Sequence, residues 1–176
     1  MKLGKAQGFA LIDLIFVCGI VGLLCGIAMP RLLVARQSAN SASAIGSMRS
    51  INSSELTYAL TCGNGFYAPN LTTLGTPPPG SNAPFLASGL TSADTVTKSG
   101  YIVTLSGTPY VDAPATCNGL AVGQAAQGFR AGADPAEPTN SRFFAINASG
   151  SIYEDTASMF AAMPEVGEPP SGHVIR

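Results

Sequence analysis

Asp13 is the residue whose placement suggests the most specific chemistry in this sequence. It is the single charged residue in the apolar run from Phe9 to Met29. A carboxylate near the middle of a membrane costs on the order of 2.5–3.5 kcal/mol, so a charge in such a run is expected to have a partner. Asp13 is therefore a candidate contact residue rather than a catalytic one.

Candidates for catalysis or cofactor binding are sparse. The single histidine, His173, lies near the C-terminus in an apparent tail, where a rigidly held catalytic base is not expected. The sequence has no Gly-x-Ser-x-Gly motif, no phosphate-binding glycine loop and no Cys/His metal spacing. We therefore expect no catalytic residue, no cofactor and no enzyme activity.

Calcium is the one metal that the sequence leaves as an alternative. Glu154 and Asp155 lie near Asn147 and Ser149 around a predicted hairpin, and all four carry oxygen ligands. No acidic cluster typical of a calcium site accompanies them. A solvated turn is the preferred interpretation, and we assign no metal ligand.

The composition excludes some classes of protein. Hydrophobic residues make up 46% of the chain, but charged residues only 11%, where about 25% is usual. The formal net charge of −1 gives no general attraction for polyanions, so nucleic-acid binding is not expected. The hydrophobic share also argues against disorder.

The N-terminal segment consists of a short basic stretch, residues 1–8, followed by the apolar run Phe9–Met29. A helix of this length spans the roughly 30 Å of a bilayer core. Three interpretations compete: a signal peptide cleaved after Gly26-Ile27-Ala28, an uncleaved anchor, or a type III signal cut before the apolar run. Only the last two keep Asp13 in the mature membrane segment.

The sequence Gly8-Phe9-Ala10-Leu11-Ile12-Asp13-Leu14-Ile15 resembles the cleavage and methylation motif of type IV pilins and type II secretion pseudopilins. The resemblance implies cleavage by a prepilin peptidase between Gly8 and Phe9, and N-methylation of Phe9. Asp13 stands where the family nearly always has Glu, and Pro30 stands where many type IV pilins have a proline.

The resemblance also implies roles for residues of this helix. Asp13 is expected to pair with the α-amine of a neighbouring subunit during filament assembly, with about one methylene less reach than Glu. Gly22-x-x-x-Gly26, with Cys18 one turn earlier, forms a small-residue ridge typical of closely packed apolar helices, although glycine is also common in membrane spans.

One long helix is predicted over residues 9–60. Beyond Arg31 its apolar residues recur at spacings of three and four, up to Leu60. Pro30 is expected to kink this helix, and Thr61-Cys62-Gly63-Asn64-Gly65 to end it.

Residues 61–176 are predicted to form the head. We expect a surface connection over 63–98 with one short helix near 85–90. Strands are predicted at 101–106, 108–113, 119–122, 142–146 and 151–154, and an irregular tail after Met163. The fold class is therefore α+β and pilin-like, with a long N-terminal helix on a small antiparallel sheet.

Cys62 and Cys117 are the two cysteines of the predicted head. If the head lies outside the cytoplasm, they form a disulfide, and two buried free thiols are the alternative. Many type IV pilins instead close a loop near the C-terminus, so this placement departs from the ordinary adhesive pilins.

The expected function is that of a structural subunit of a type IV pilus-like helical filament. It would start as a single-pass inner-membrane protein with a periplasmic head and end in a periplasmic or surface filament. The implied partners are copies of itself, prepilin peptidase, an assembly ATPase with its platform, and other pilins or pseudopilins. The alternatives are a pseudopilin of type II secretion, a minor tip pilin, or a membrane-anchored periplasmic binding module.

Overall fold

The computed structural model describes the backbone of residues 7–175 and the side chains of residues 11–175. The chain divides between Ala39 and Asn40 into two compact units. Most of the predicted leader, residues 1–6, lies outside the described residues. The architecture is α+β, with a long apolar helix at the N-terminus followed by a six-stranded antiparallel sheet.

Helix α1 runs from Gln7 to Thr61 without interruption and contains Pro30. This confirms the single long helix predicted from the sequence, and the bend expected at Pro30 stays a prediction. The helix ends as predicted: Cys62 and Gly63 both donate their N–H to the carbonyl of Tyr58, at 2.9 and 2.8 Å. Asn64 and Gly65 then take left-handed backbone angles, φ 52° and 90°.

Residues 63–98 were expected to form a surface connection, and this prediction was wrong in part. The segment contains helix α2 (Leu71–Gly75), a 3-10 turn (Ser88–Leu90) and strand β1 (Thr95–Lys98). Only the 3-10 turn corresponds to the short helix expected near 85–90. The segment also contributes buried residues to the core, namely Ala68, Leu71, Leu74, Leu86 and Leu90. These apolar residues lie among Pro and Gly in the sequence and hold the segment against the core of the head.

The sheet is a meander in which each strand pairs with the next in chain order. After β1 the strands are β2 (Tyr101–Ser106), β3 (Arg130–Pro135), β4 (Phe143–Asn147), β5 (Ile152–Asp155) and β6 (His173–Val174). The prediction of β2 was correct, and so was the β4–β5 hairpin to within one residue at each end. Strands β1, β3 and β6 were missed.

The strands predicted at 108–113 and 119–122 were wrong. Both ranges lie in a long excursion, residues 107–129, between β2 and β3. The excursion folds back on itself through single backbone bonds, Tyr110 N to Ala125 O at 2.9 Å and Gly123 N to Ala113 O at 2.8 Å. Pro109 has no N–H to donate, so its pairing with Ala126 is an isolated bridge rather than a ladder.

The main core lies between the second half of α1 and one face of the sheet. Met48, Ile51 and Tyr58 are fully buried on the helix side, and Val103, Ala133, Phe144 and Ile146 lie on the sheet side. The alternating burial of β2 places Tyr101, Val103 and Leu105 on this face. The helix is therefore held to the sheet by one continuous apolar layer.

The opposite face of the sheet is covered by the chain after β5. Met159 and Met163 pack there with Ala145 and Tyr153. Gly132 on β3 leaves room for Phe160, because a Cβ at this position would lie 2.9 Å from Phe160 Cβ. The missed strand β3 thus carries a glycine where a side chain from the other layer needs close approach.

The tail after Met163 is irregular except for β6, which pairs with the edge of β5. Asn147 holds it by donating its amide N–H groups to the carbonyls of Pro164 (2.9 Å) and Gly167 (2.7 Å). Glu165 accepts hydrogen bonds from the N–H and hydroxyl of Thr108 at 2.7 and 2.6 Å. Although it lacks regular structure, the tail is tied to the head.

Candidate assembly segment and the head that carries it

The first half of α1 exposes a continuous apolar surface. All residues from Leu11 to Arg36 are exposed, with Ile12 at 72% and Leu23 at 69%. The helix is long and apolar enough to cross a membrane, and none of its most apolar stretch is buried within the chain. An uncovered apolar helix of this size could span a membrane or pack against other helices.

Asp13 lies on this exposed surface and is itself exposed. Phe16, Val17 and Ile20 follow it at spacings of three, four and seven, so they share its side of the helix. Among the described residues no basic side chain forms an ion pair with Asp13. The structure therefore presents the carboxylate on an apolar helix face with room for a partner from outside the chain.

Arg31 lies on the same side of the helix as Asp13. The two are eighteen residues apart, which is about five turns and about 27 Å along the helix axis. The apolar stretch between them is thus bounded by one carboxylate and one guanidinium. Its length matches the roughly 30 Å of a bilayer core.

Cys18, Gly22 and Gly26 form the small-residue ridge expected from the sequence, and all three are exposed. Gly22 lies nine residues from Asp13, about two and a half turns, and so faces the opposite side of the helix. A Cβ at Gly22 or Gly26 would meet nothing within 4 Å. No contact inside the described chain therefore requires these glycines.

The predicted processing site falls at the beginning of the described chain. The backbone of Gly8 and Phe9 lies in the first turn of α1, which begins at Gln7. Their side chains lie outside the described residues, as does most of the leader. Cleavage at Gly8 and methylation of Phe9 remain predictions.

Cys62 and Cys117 form a disulfide with a Cα–Cα distance of 4.9 Å, which confirms the predicted pair. Cys117 also donates its N–H to the carbonyl of Cys62 at 3.1 Å. The bridge joins the end of α1 to the 107–129 excursion. Cys18 and Cys25 are free thiols.

Asn118 strengthens the same junction, a role that sequence analysis did not identify. Its side-chain oxygen accepts a hydrogen bond from the Tyr58 hydroxyl at 3.3 Å. Its amide N–H groups donate to the carbonyls of Thr73 (2.9 Å) and Thr76 (3.3 Å) at the end of α2. Its position next to Cys117 is the only signal that the sequence offered.

Glu55 is the other side chain that sequence analysis missed. It is fully buried, and its Oε2 accepts a hydrogen bond from the N–H of Ala68 at 2.9 Å. Its Oε1 is buried without a partner. Burial raises the pKa of Glu55 well above its usual range, and the Ala68 hydrogen bond opposes this only in part.

The residues weighed as calcium ligands are engaged with the protein. The side-chain oxygen of Asn147 accepts a hydrogen bond from Ser149 N at 3.0 Å. Glu154 forms an ion pair with Arg142, whose Nε and one terminal nitrogen lie 2.5 and 2.8 Å from its two oxygens. His173 lies on β6 opposite Glu154. Within the described residues no three acidic, histidine or cysteine side chains are grouped as metal ligands.

No family model, curated protein or solved structure matches the chain.

Proposed function

We propose that this protein is a structural subunit of a type IV pilus-like helical filament, assembled through the first half of α1. The observation that carries the proposal is the exposed apolar helix with one carboxylate, continuous with a helix that is packed on a small antiparallel sheet. A head of this kind can remain folded while its helix exchanges lipid for other helices. The motif at Gly8 and Phe9 adds the processing step.

The exposed helix is compatible with two surroundings, a bilayer and an assembly of helices. Its apolar side chains are stable in a bilayer and equally so in a bundle of similar helices, where close packing replaces lipid contacts. Identical subunits that join head to tail without closing a ring form an open helical polymer. The same segment can thus serve first as a membrane anchor and then as the filament core.

Asp13 is proposed to select the neighbour. In an apolar core an unpaired carboxylate is expensive, and so is an unpaired amine. Cleavage after Gly8 would create a new α-amine at Phe9, which would supply a positive charge within the apolar segment of a neighbouring subunit. Pairing the two removes both penalties and fixes the axial register.

The ridge of Cys18, Gly22 and Gly26 is proposed to pack against a further subunit. Glycine in an exposed helix interior destabilises it by about 1 kcal/mol relative to alanine. Since no contact within the chain uses the space at Gly22 and Gly26, close approach of another helix is a physical reason to have glycine there.

The proposal includes the localisation and partners that such a subunit needs. The chain would lie in the inner membrane with its head in the periplasm until assembly. Prepilin peptidase, an assembly ATPase with its platform protein, and other pilins or pseudopilins would act on it. A pseudopilin of type II secretion and a minor tip pilin would use the same helix. They would differ from a pilus subunit in the location and the amount of the filament that forms.

The test compares three full-length variants in a cell that has a pilus assembly system. Asp13→Asn removes the charge, Asp13→Glu restores the residue typical of the family, and Asp112→Asn removes an exposed carboxylate of the head. Intact mass and N-terminal sequencing report processing, and sheared surface material reports filaments.

We expect all three variants to begin at methylated Phe9, and only Asp13→Asn to lose filaments. Filaments with normal yield from Asp13→Asn would refute the role of Asp13. A mature chain that begins at Met29, or one that keeps residues 1–8 and never reaches the sheared fraction, would favour a secreted domain or an anchored binding module instead.

A further inference from the structure

Glu55 is buried at the point where α1 meets the segment Tyr67–Pro69. The hydrogen bond from Ala68 N to Glu55 Oε2, at 2.9 Å, joins this segment to the helix. Both residues are fully buried. The carboxyl group therefore acts at an internal junction rather than at the surface.

The segment Tyr67–Pro69 is itself bound to the 107–129 excursion. Tyr67 and Ala126 exchange two backbone hydrogen bonds, at 2.8 and 3.0 Å, and Gly107 N donates to Pro69 O at 3.0 Å. A movement of the segment away from α1 would consequently carry part of the excursion with it. The Cys62–Cys117 disulfide ties the middle of the excursion to the end of α1, so such a movement would be local.

The environment of Glu55 suits a neutral carboxyl and not a charged one. Its Oε1 has no hydrogen-bond partner, and no described basic side chain forms an ion pair with it. A buried carboxylate with a single hydrogen bond and no counter-charge is strongly disfavoured. Ionisation thus favours a state in which water reaches this group.

The neighbouring titratable groups do not supply the missing positive charge. Tyr58 lies one turn later on α1, and burial is the main cause that raises the pKa of its hydroxyl above the usual range. The segment contributes Tyr67, and the excursion contributes Tyr110 and the exposed Asp112. All of these are neutral or negative.

We propose that Glu55 is a proton-controlled latch, which holds the segment Tyr67–Pro69 on α1 while it is uncharged and releases it when it ionises. The sign follows from proton linkage. The closed state keeps the proton more tightly than the open state, so closure is strongest at acid pH and weakens as the pH rises. The weakening begins above the ordinary glutamate pKa of about 4.3 and ends at the pKa of the closed state.

The test is amide hydrogen exchange at Ala68 in the full chain in detergent micelles, between pH 5 and pH 8. Rates are corrected for base-catalysed intrinsic exchange, which leaves the equilibrium constant for opening. In the wild type we expect this constant to rise up to tenfold per pH unit. In Glu55→Gln, which keeps an oxygen acceptor for Ala68 but cannot ionise, we expect it to be independent of pH.

Glu165→Gln is the matched control. Glu165 also accepts a backbone hydrogen bond, from Thr108 N, but it is only partly buried. This variant should keep the wild-type pH dependence at Ala68. The proposal would be overturned if the opening constant at Ala68 had the same pH dependence in the wild type and in Glu55→Gln. It would also be overturned if that constant did not change with pH in the wild type.

A second measurement keeps the proposal testable if Glu55→Gln does not fold. The carboxyl carbon resonance of Glu55 in the wild type should titrate well above the ordinary glutamate pKa of about 4.3. A resonance that titrates near pH 4 would overturn the latch without the use of any variant.

Discussion

The hydroxyl of Tyr101 lies 3.0 Å from Ser41 Oγ, and this contact joins the middle of α1 to strand β2. The same hydroxyl donates to the carbonyl of Arg142 at 3.0 Å and accepts from the amide of Asn140 at 2.8 Å. One buried phenol thereby connects the helix, the sheet and the segment before β4. Few side-chain atoms can serve three elements at once, and a tyrosine at the end of a core strand is long enough to do so.

Replacing Tyr101 by Phe should destabilise the head while its apolar packing is kept. The change leaves the Arg142 carbonyl and the Asn140 amide without this partner, and a buried polar group left unpaired costs about 1–3 kcal/mol. We expect the free energy of unfolding to fall by about 2 kcal/mol. Urea unfolding of the detergent-solubilised chain, followed by tyrosine circular dichroism, measures the change.

The control for this prediction is Tyr110→Phe. Tyr110 stacks on Phe66 with ring centroids 5.9 Å apart, and phenylalanine retains that contact. A change within about 0.5 kcal/mol is expected for this control. A Tyr101→Phe variant as stable as the control would show that water replaces the three hydrogen bonds at no cost.

The disulfide offers a second prediction with a control built into the chain. Cys62 and Cys117 are 55 residues apart, and closing such a loop removes on the order of 4 kcal/mol of unfolded-chain entropy. The free energy of unfolding of the double variant Cys62→Ala/Cys117→Ala should therefore be lower than that of the wild type by most of this amount. Cys18→Ala/Cys25→Ala removes the two free thiols of the apolar helix and should leave the unfolding of the head unchanged.

The long helix and its end could be predicted because their signals are local and strong. The apolar run and the spacings of three and four extend α1 across Pro30, and the Gly-Asn-Gly sequence supplies the left-handed residues that end it. The β4–β5 hairpin and β2 were likewise predictable from alternating apolar residues with turn residues at their ends.

The rest of the sheet could not be predicted because its strands lack that signal. Strand β3, with the sequence Arg-Ala-Gly-Ala-Asp-Pro, consists mainly of residues with low strand propensity, and it forms because β2 and β4 pair with it on both sides. In contrast, Val111 and Val122 suggested strands but are exposed, at 77% and 68%. Pairing with neighbouring strands made β3 a strand despite its weak local preference. Val111 and Val122 lie outside the sheet despite their strong one.

The candidate functional residues also divide into those with a clear sequence signal and those without one. Asp13 could be proposed as an assembly residue from sequence because a charge in an apolar run is conspicuous, and that role stays a prediction. Glu55 could not, although it follows Met48 and Ile51 at spacings of seven and four and precedes Tyr58 by three, which places it on the buried face of α1. A carboxyl group at a core position of an amphipathic helix is the signal to look for in such chains.

Two glycines provide a test of backbone fit. A Cβ at Gly63 would lie 2.1 Å from the carbonyl oxygen of Phe66, whereas a Cβ at Gly46 would meet nothing within 4 Å. Gly63→Ala forces the backbone to move and should destabilise the head by about 1–3 kcal/mol. Gly46→Ala removes an exposed glycine from a helix interior and should stabilise it by about 1 kcal/mol.

The same urea unfolding measures both glycine variants. We expect the free energy of unfolding to fall in Gly63→Ala and to rise in Gly46→Ala. Two variants of equal stability would mean that the turn after α1 relaxes freely, in conflict with the hydrogen bonds that fix it to Tyr58 and Ala59.

The ion pair of Arg142 and Glu154 predicts a pH dependence opposite in sign to that of Glu55. The hydrogen bond from Arg142 is the largest cause that lowers the pKa of Glu154 below its usual range. A lowered pKa in the folded state stabilises the fold above the unfolded pKa of about 4.3, and this contribution is lost as the pH falls through the folded pKa. Arg142→Gln should therefore raise the pKa of Glu154 toward its ordinary value and reduce the loss of stability between pH 5 and pH 3.

The readout has to be the pH dependence rather than stability at one pH, because the Arg142 guanidinium also lies 5.3 Å from the centre of the Phe144 ring. Carboxyl carbon titration of Glu154 reports its pKa directly, and urea midpoints at pH 6 and pH 3 report the linkage. Arg49→Gln removes an exposed guanidinium from α1 and serves as the control. If the pKa of Glu154 is the same in Arg142→Gln as in the wild type, the ion pair is not the cause of the shift.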